Sequence, residues 1–163
     1  MKQKYSNVTL SSGHYRAGIC QIKIAPKEWL LDPVIIDFNT NIVNHEVLLK
    51  PDFNFLTLDF TPDSYEFDEK PKSSRGGSYF EVTLQGMVNN ITPDILATLE
   101  TFRYHEMVAI IKDKNKRMKV VGDQDAGLIF RFTNKESSNQ GGVQQCAVDL
   151  TMDAEKLSPF YEI

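Results

Sequence analysis

The chain has 163 residues, the length of a single domain, and its 41% hydrophobic and 25% charged residues exclude the composition of an unfolded chain. Its 22 acidic residues outnumber its 18 Lys and Arg residues, and the net charge of -4 argues against a dedicated nucleic-acid-binding domain, because such domains carry a basic excess. No apolar run approaches the roughly 18 residues of a membrane span, and the N-terminus lacks the apolar region of a signal peptide. We therefore expect one packed domain that is neither inserted in a membrane nor exported by a signal peptide.

The N-terminal residues come first in chain order. Residues 1–14 are mostly small and polar, which predicts a flexible arm. Residues 15–163 are predicted to form a single β-rich domain. Its first strand is predicted from Tyr15 to Ala25, where apolar and polar residues alternate, and Pro26 ends it.

The segments that follow this strand are less regular. Residues 27–44 are rich in apolar side chains but are interrupted by Pro33, which predicts a turn followed by a short strand. Residues 46–50 and 53–60 are rich in β-forming residues and are separated by Pro51 and Asp52. Two more strands are predicted there.

A charged, proline-containing stretch covers residues 61–77 and predicts a long loop. Its apolar members, Tyr65 and Phe67, alternate with polar residues and predict at most a few residues of strand. The glycine pair at its end predicts a hinge, formed by Arg75, Gly76 and Gly77. The acidic residues of the stretch are expected to form a solvated surface rather than an acid-base site: Asp63, Glu66, Asp68 and Glu69.

The best strand and the best helix signals are adjacent. Residues 78–87 alternate apolar and polar side chains, which predicts a strand with one face in the core. Thr92 and Pro93 then have the positions of an N-cap and of a first helical residue. The apolar residues that follow form a stripe at helical spacing: Ile95, Leu96, Leu99 and Phe102. One amphipathic helix packed on a sheet is predicted.

Four β segments are predicted after the helix. Residues 107–112 and 117–121 flank a polar turn and predict a hairpin, and residues 123–127 predict a tight turn rather than a calcium loop. Two alternating segments, around 128–133 and 145–152, are joined by a polar loop. The whole order predicts a mainly β fold with one helix, as an antiparallel β-sandwich or partly closed barrel with a single flanking α-helix.

Residues able to carry chemistry form no catalytic, cofactor or metal motif, so we predict none of these sites. The histidines, His14, His45 and His105, lack the spacing of metal ligands. Cys20 and Cys146 lie in strand-like segments, which favours buried free thiols, while a disulfide and a catalytic thiol remain alternatives.

One basic cluster falls at the predicted hairpin of residues 107–121. It contains Lys112, Lys114, Lys116, Arg117 and Lys119. Three interpretations stay open: an exposed turn kept soluble by its charge, a contact with an acidic partner, or a contact with phosphates.

The second half of the chain resembles structural proteins of tailed-phage virions, especially small tail proteins of the tail-tube type. The resemblance covers about residues 78–161. It rests on a strand, a capped helix, a hairpin, two closing strands and a glycine-ended loop, marked by Leu84-Gln85-Gly86, Thr92 to Arg103, Val120-Val121-Gly122, Leu128 to Phe132, Gly141-Gly142 and Pro159-Phe160-Tyr161.

The resemblance implies a non-enzymatic subunit, a tail tube or tail-associated protein that assembles into a ring such as a hexamer. Its partners would be further copies and other virion proteins, in the virion and in the host cytoplasm during assembly. DNA would pass through a lumen without specific binding, which an acidic subunit suits. The loop at 61–77 would reach a neighbour, with interface candidates Tyr65, Phe67, Arg75, Gly76, Gly77, Lys114, Lys116 and Arg117.

Two other functions remain open from the residues alone. A monomeric β-sandwich could bind a small ligand or carbohydrate through outward aromatic side chains such as Tyr79 and Tyr104. An enzyme could pair Cys20 or Cys146 with a histidine.

Overall fold

The computed structural model describes residues 19–58, 60–61, 64–89, 92–135 and 145–163. The predicted arm at residues 1–14 lies outside the described residues, as does most of the loop predicted before the last long strand. The first strand is described from Ile19, four residues after its predicted start at Tyr15.

The described elements are ten strands, one α-helix and one short 3-10 helix at Lys27–Trp29. The strands are β1 (Ile19–Pro26), β2 (Ile42–Val43), β3 (Leu56–Leu58), β4 (Glu66–Ser74), β5 (Gly77–Asn89), β6 (Glu106–Asp113), β7 (Met118–Val121), β8 (Leu128–Lys135), β9 (Gln145–Ala154) and β10 (Phe160–Tyr161), and α1 covers Pro93–Phe102. The prediction of a mainly β fold with a single α-helix is confirmed for this part of the chain.

The ten strands form one mixed sheet that is not closed into a barrel. Its main order is β2-β10-β7-β6-β8-β9-β5-β4. Strand β1 pairs with the other edge of β6 and also with β3. All pairs are antiparallel except β2 with β10, which is parallel, so the sheet is mixed rather than purely antiparallel as predicted.

Helix α1 forms where its capping residues predict it. The Thr92 hydroxyl oxygen accepts a hydrogen bond from the Ile95 N–H at 3.3 Å, and Pro93 is the first helical residue. Leu99 and Phe102 are buried against the sheet, whereas Ile95 is 38% exposed. The helix therefore packs on one face of the sheet mainly through Leu99 and Phe102, the C-terminal residues of its apolar stripe.

Two hydrophobic clusters lie on opposite faces of β6. Met107, Ala109 and Ile111 face the main cluster, which also contains the inward side chains of β5, β8, β9 and α1. Val108 faces a second cluster, formed with Leu30, Val34, Val43, Val47, Val120 and Tyr161. Because successive strand residues point to opposite faces, β6 is buried on both sides.

The predicted long loop at 61–77 is wrong for most of its length. Residues Glu66–Ser74 form β4, which pairs with β5 from Glu66 opposite Gln85 to Ser74 opposite Gly77. The charged side chains misled the prediction because β4 is paired through its backbone and needs few buried side chains. Its Lys and Pro residues suit a strand at the edge of a sheet.

Two shorter strand predictions also need correction. Of residues 46–50, only Leu49 forms a bridge, opposite Leu30. Among the described residues of 53–60, only Leu56–Leu58 is a strand, and Phe60 forms a single bridge with Val88. This region is held instead by single backbone hydrogen bonds, such as Leu31 N–H to the Leu48 carbonyl at 2.9 Å. A β-rich composition does not produce a ladder where no long partner strand is alongside.

Candidate interaction surface

The far end of the β4–β5 hairpin projects beyond the rest of the sheet. The ladder between β5 and β9 ends at the pair Phe80 and Ala154, whereas β4 and β5 remain paired as far as Ser74 and Gly77. We call residues 72–79 the ribbon. Three residue pairs beyond Phe80 at about 3.3 Å each give it a length of about 10 Å. A two-residue turn, Arg75-Gly76, joins the two strands of the ribbon, and Gly77, the first residue of β5, has a φ of +130°.

Charged side chains line the ribbon and the adjoining part of the hairpin. Lys72 Nζ lies 3.0 Å from Glu81 Oε2, and Lys70 Nζ lies 2.8 Å from Asp68 Oδ2. The Asp68 and Lys70 pair lowers the pKa of the carboxyl and raises that of the ammonium group. Arg75 is exposed at the turn. The ribbon thus carries a cationic tip on an ordered two-stranded support.

Glu69 ties the base of the hairpin to the opposite end of the sheet. Its Oε2 accepts a hydrogen bond from Lys119 Nζ at 2.6 Å, and its Oε1 accepts one from the Ser158 N–H at 2.6 Å. The Lys119 ammonium group also lies 5.4 Å from the ring centroids of Phe67 and Phe160. Glu69 is 10% exposed, so it is not the solvated surface residue that the sequence predicted.

An open groove lies beside this contact. We define the groove by its three walls: residues 34–41, the turn at residues 122–126, and residues 152–159. Its volume is about 630 Å³. The walls are joined by hydrogen bonds from the Val34 N–H to Gln124 Oε1 at 3.0 Å and from Asn41 Nδ2 to the Leu157 carbonyl at 3.4 Å.

The groove combines exposed apolar side chains with acidic ones. Phe38 is 79% exposed and Leu157 is 46% exposed. Four of the described lining residues carry carboxylates, and one, Lys156, carries an ammonium group, whose Nζ lies 4.4 Å from the ring centroid of Phe38. The carboxylates belong to Asp123, Asp125, Asp153 and Glu155. The groove is therefore apolar and negatively charged.

The turn at residues 122–126 is a tight turn, as the sequence predicts. Asp123 Oδ1 accepts hydrogen bonds from the N–H groups of Asp125 and Ala126, each at 2.8 Å. Gly122 has a φ of +85°, and a side chain there would approach the Met107 carbonyl oxygen to 3.0 Å. The described residues contain no group of three metal-ligating side chains.

The predicted basic cluster lies at and around the β6–β7 turn. Asp113 Oδ1 accepts hydrogen bonds from the N–H groups of Asn115 and Arg117, and Arg117 Nε lies 2.9 Å from Asp113 Oδ2. Lys116 adopts a φ of +66°, a left-handed conformation that is uncommon for a residue other than Gly, Asn or Asp. Lys114 and Lys116 are exposed at the turn.

The predicted interface residues fall into three places. Tyr65 and Phe67 pack against the main cluster, so they are not free anchors on a loop. Arg75, Gly76 and Gly77 form the tip of the ribbon, and Lys114, Lys116 and Arg117 belong to the β6–β7 turn. The aromatic residues proposed for ligand binding lie apart, Tyr79 on β5 and Tyr104 beyond the end of α1.

The cysteine and histidine residues do not resemble a catalytic pair in the described structure. Cys146 is a buried free thiol, as predicted, and burial raises its pKa, which is the opposite of nucleophile activation. The side chain of Cys20 lies outside the description. His45 Nε2 accepts a hydrogen bond from the Ile35 N–H at 3.5 Å, and His105 is exposed after α1. His14 lies outside the described residues.

Sequence reasoning missed the groove and the Glu69 contact. Asn41 and Leu157 of the groove are 116 residues apart in the sequence, and Glu69 is 89 residues from Ser158, so both features form only after folding. The available signals were local: an aromatic residue between Asp37 and Asn39, and the acidic residues Asp153 and Glu155 shortly before Leu157. Neither signal identifies its partner.

Comparisons with known proteins give no relative. No protein-family model matches the chain, and no curated protein or solved structure is significantly similar to it. Within the described residues, no helix has the length and apolar character needed to span a bilayer.

Proposed function

We propose that the protein is a non-enzymatic structural subunit of a tailed-phage virion, a tail tube or tail-associated protein that assembles with further copies into rings. The observation that carries the proposal is the ribbon. Its residues contribute no side chain to the buried clusters except at its base, yet they form paired β-structure. An ordered projection that does not serve the core is suited to contacting another molecule.

The edge position of β4 supports the same function. One side of β4 is paired with β5, and in the described sheet its other side has no strand partner. Such an edge offers backbone N–H and C=O groups to a second chain, while its charged side chains and Pro71 limit unspecific pairing. A contact between different surfaces of identical subunits closes into a ring if the rotation between them allows it.

The test is the oligomeric state of the full chain. Size-exclusion chromatography with light scattering, followed by negative-stain microscopy over a concentration series, is expected to detect rings or tubes. A strict monomer at every concentration, which also binds no other virion protein, overturns the proposal.

A ribbon variant locates the contact. Replacing residues 72–79 by Asn-Gly keeps the pair Pro71 and Phe80 as the closing pair of a shorter hairpin. We expect this variant to keep its thermal midpoint within a few degrees and to lose assembly. The matched control, Ser73→Ala with Ser78→Ala, keeps the ribbon and is expected to assemble. Unchanged assembly of the shortened variant would show that the ribbon is not the contact.

A further inference from the structure

The groove leaves apolar side chains uncovered next to charged residues. Phe38 and Leu157 lie on two adjoining walls, and both side chains are exposed. An exposed apolar patch rimmed by charged residues is typical of a binding site for another segment of chain. The question is which segment has the matching chemistry.

The charges of the groove specify a cationic occupant. Asp153 and Glu155 are exposed on one wall, and Asp123 and Asp125 lie on another. Asp123 Oδ1 accepts hydrogen bonds within its own turn, and Lys27 lies beside that turn, where it donates to the Asp125 carbonyl at 3.3 Å and pairs with Glu106. On the other wall, Lys156 is the one ammonium group among the described lining residues, next to the exposed carboxylates of Asp153 and Glu155. A bound segment should therefore be basic and carry some apolar side chains.

One segment of this chain has that composition. Residues 1–18 contain three Lys and Arg residues and no Asp or Glu, although acidic residues are in excess in the chain as a whole. The basic residues are Lys2, Lys4 and Arg16, and they are interspersed with Tyr5, Val8, Leu10 and Tyr15. The net charge of the segment is opposite to that of the groove.

The length of this segment allows a contact between copies. Ile19, the residue that follows it, pairs with Asp113 at one end of β6. Eighteen extended residues span up to about 60 Å. A segment with this reach can leave its own subunit and bind a neighbouring one, as a head-to-tail contact requires.

We propose that residues 1–18 of one copy bind in the groove of the next copy. This inference rests on the proposed function, because it requires subunits that associate. It assigns the groove to a basic peptide segment of the chain itself, held by the carboxylates of Asp153 and Glu155 and by the apolar surface of Phe38 and Leu157.

The test places a photoreactive p-benzoyl-phenylalanine at position 38 of the full chain and mixes light and isotopically heavy protein. Irradiation followed by mass spectrometry is expected to join position 38 of one isotope to residues 1–18 of the other. The same group at position 104, where Tyr104 is 68% exposed, is the control and should not capture that segment. Capture within single chains only, capture of any other segment, or no capture overturns the proposal.

Charge variants separate specific docking from unspecific proximity. Asp153→Asn with Glu155→Gln should reduce the light–heavy product about fivefold to tenfold, because two charges facing the basic segment are removed. Asp94→Asn with Glu100→Gln on α1 removes two exposed charges away from the groove and should leave the yield unchanged. Equal yields from both double variants would overturn the role of the groove carboxylates. Light scattering on the same samples measures assembly separately. Assembly without this cross-link would overturn the inference about the groove but not the proposed function.

Discussion

The two faces of β6 are covered in different ways. The main cluster is enclosed by long ladders, such as the ten pairs between β5 and β9, and by a capped helix. The second cluster is enclosed by the irregular residues 30–49, which are attached by isolated bridges and single hydrogen bonds. We call the residues that enclose a cluster its cover. A cover made of repeated ladder contacts loses little stability when one hydrogen bond is removed, whereas a cover held by single hydrogen bonds depends on each of them. The second cover also forms one wall of the groove.

The largest effect is expected from Phe130→Ala, in the main cluster. Phe130 is fully buried on β8, and its removal should lower the free energy of unfolding by about 3–5 kcal/mol, through lost apolar burial and the cavity left behind. Urea denaturation measures this. Phe38→Ala is the matched control, because Phe38 is 79% exposed and its loss should cost at most about 0.5 kcal/mol. Similar losses in both variants would contradict the assignment of the main cluster.

Tyr161→Phe tests the second cluster at its most specific contact. The Tyr161 hydroxyl accepts a buried hydrogen bond from the Val47 N–H at 3.0 Å, and without it that N–H lacks this acceptor. We expect a loss of about 1–3 kcal/mol. Hydrogen exchange should accelerate at Val47 and its neighbours more than in β9. Tyr104→Phe, at an exposed tyrosine, is the control. An unchanged exchange rate at Val47 would show that the bond does not hold the cover.

This contrast also explains which elements the sequence predicts. Strand β9 and helix α1 are predictable because alternation, helical spacing and a capping residue are local properties of the sequence. The second cover is not predictable, because Val47 meets Tyr161 across 114 residues without any repeating pattern. Glu69 is a similar case, since its burial depends on Lys119 and Ser158, which are distant in the sequence.

Glu69→Gln tests whether the two regions are joined at the base of the hairpin. Glutamine retains an acceptor for the Ser158 N–H but removes the charge that faces Lys119. The free energy of unfolding is expected to fall by about 1–2 kcal/mol. The fall should be smaller in high salt, because salt already screens the wild-type Glu69–Lys119 pair. Glu100→Gln removes an exposed charge near Arg103 and should change stability by less than about 0.5 kcal/mol. A salt-independent loss would assign the effect to packing instead of charge.

Thr92→Ala tests the capped helix that covers the main cluster. Loss of the hydroxyl oxygen that accepts from the Ile95 N–H should cost about 1 kcal/mol. The same substitution six residues later, Thr98→Ala, should be neutral or slightly stabilising, because Thr98 lies inside the helix and Ala has the higher helix propensity. Thermal unfolding followed by circular dichroism compares the two. Equal effects would mean that the cap does not contribute to the stability of the helix.

Acidification gives the smallest effect, on the cover of the second cluster. The Asp37 carboxylate accepts a hydrogen bond from the Asn39 N–H at 2.9 Å, and that bond lowers the pKa of the carboxyl from its ordinary value of 3.8. Because the folded-state pKa is the lower one, the stabilisation is present above pH 3.8 and is lost as the pH falls through the folded-state value. Asp37→Asn keeps an acceptor without the titrating charge, so its midpoint should lie slightly below that of the wild type at pH 6 and converge with it on acidification. Parallel midpoints across the whole range would mean that this carboxylate does not stabilise the turn, and the cover of the second cluster would then depend on its backbone hydrogen bonds and on Tyr161.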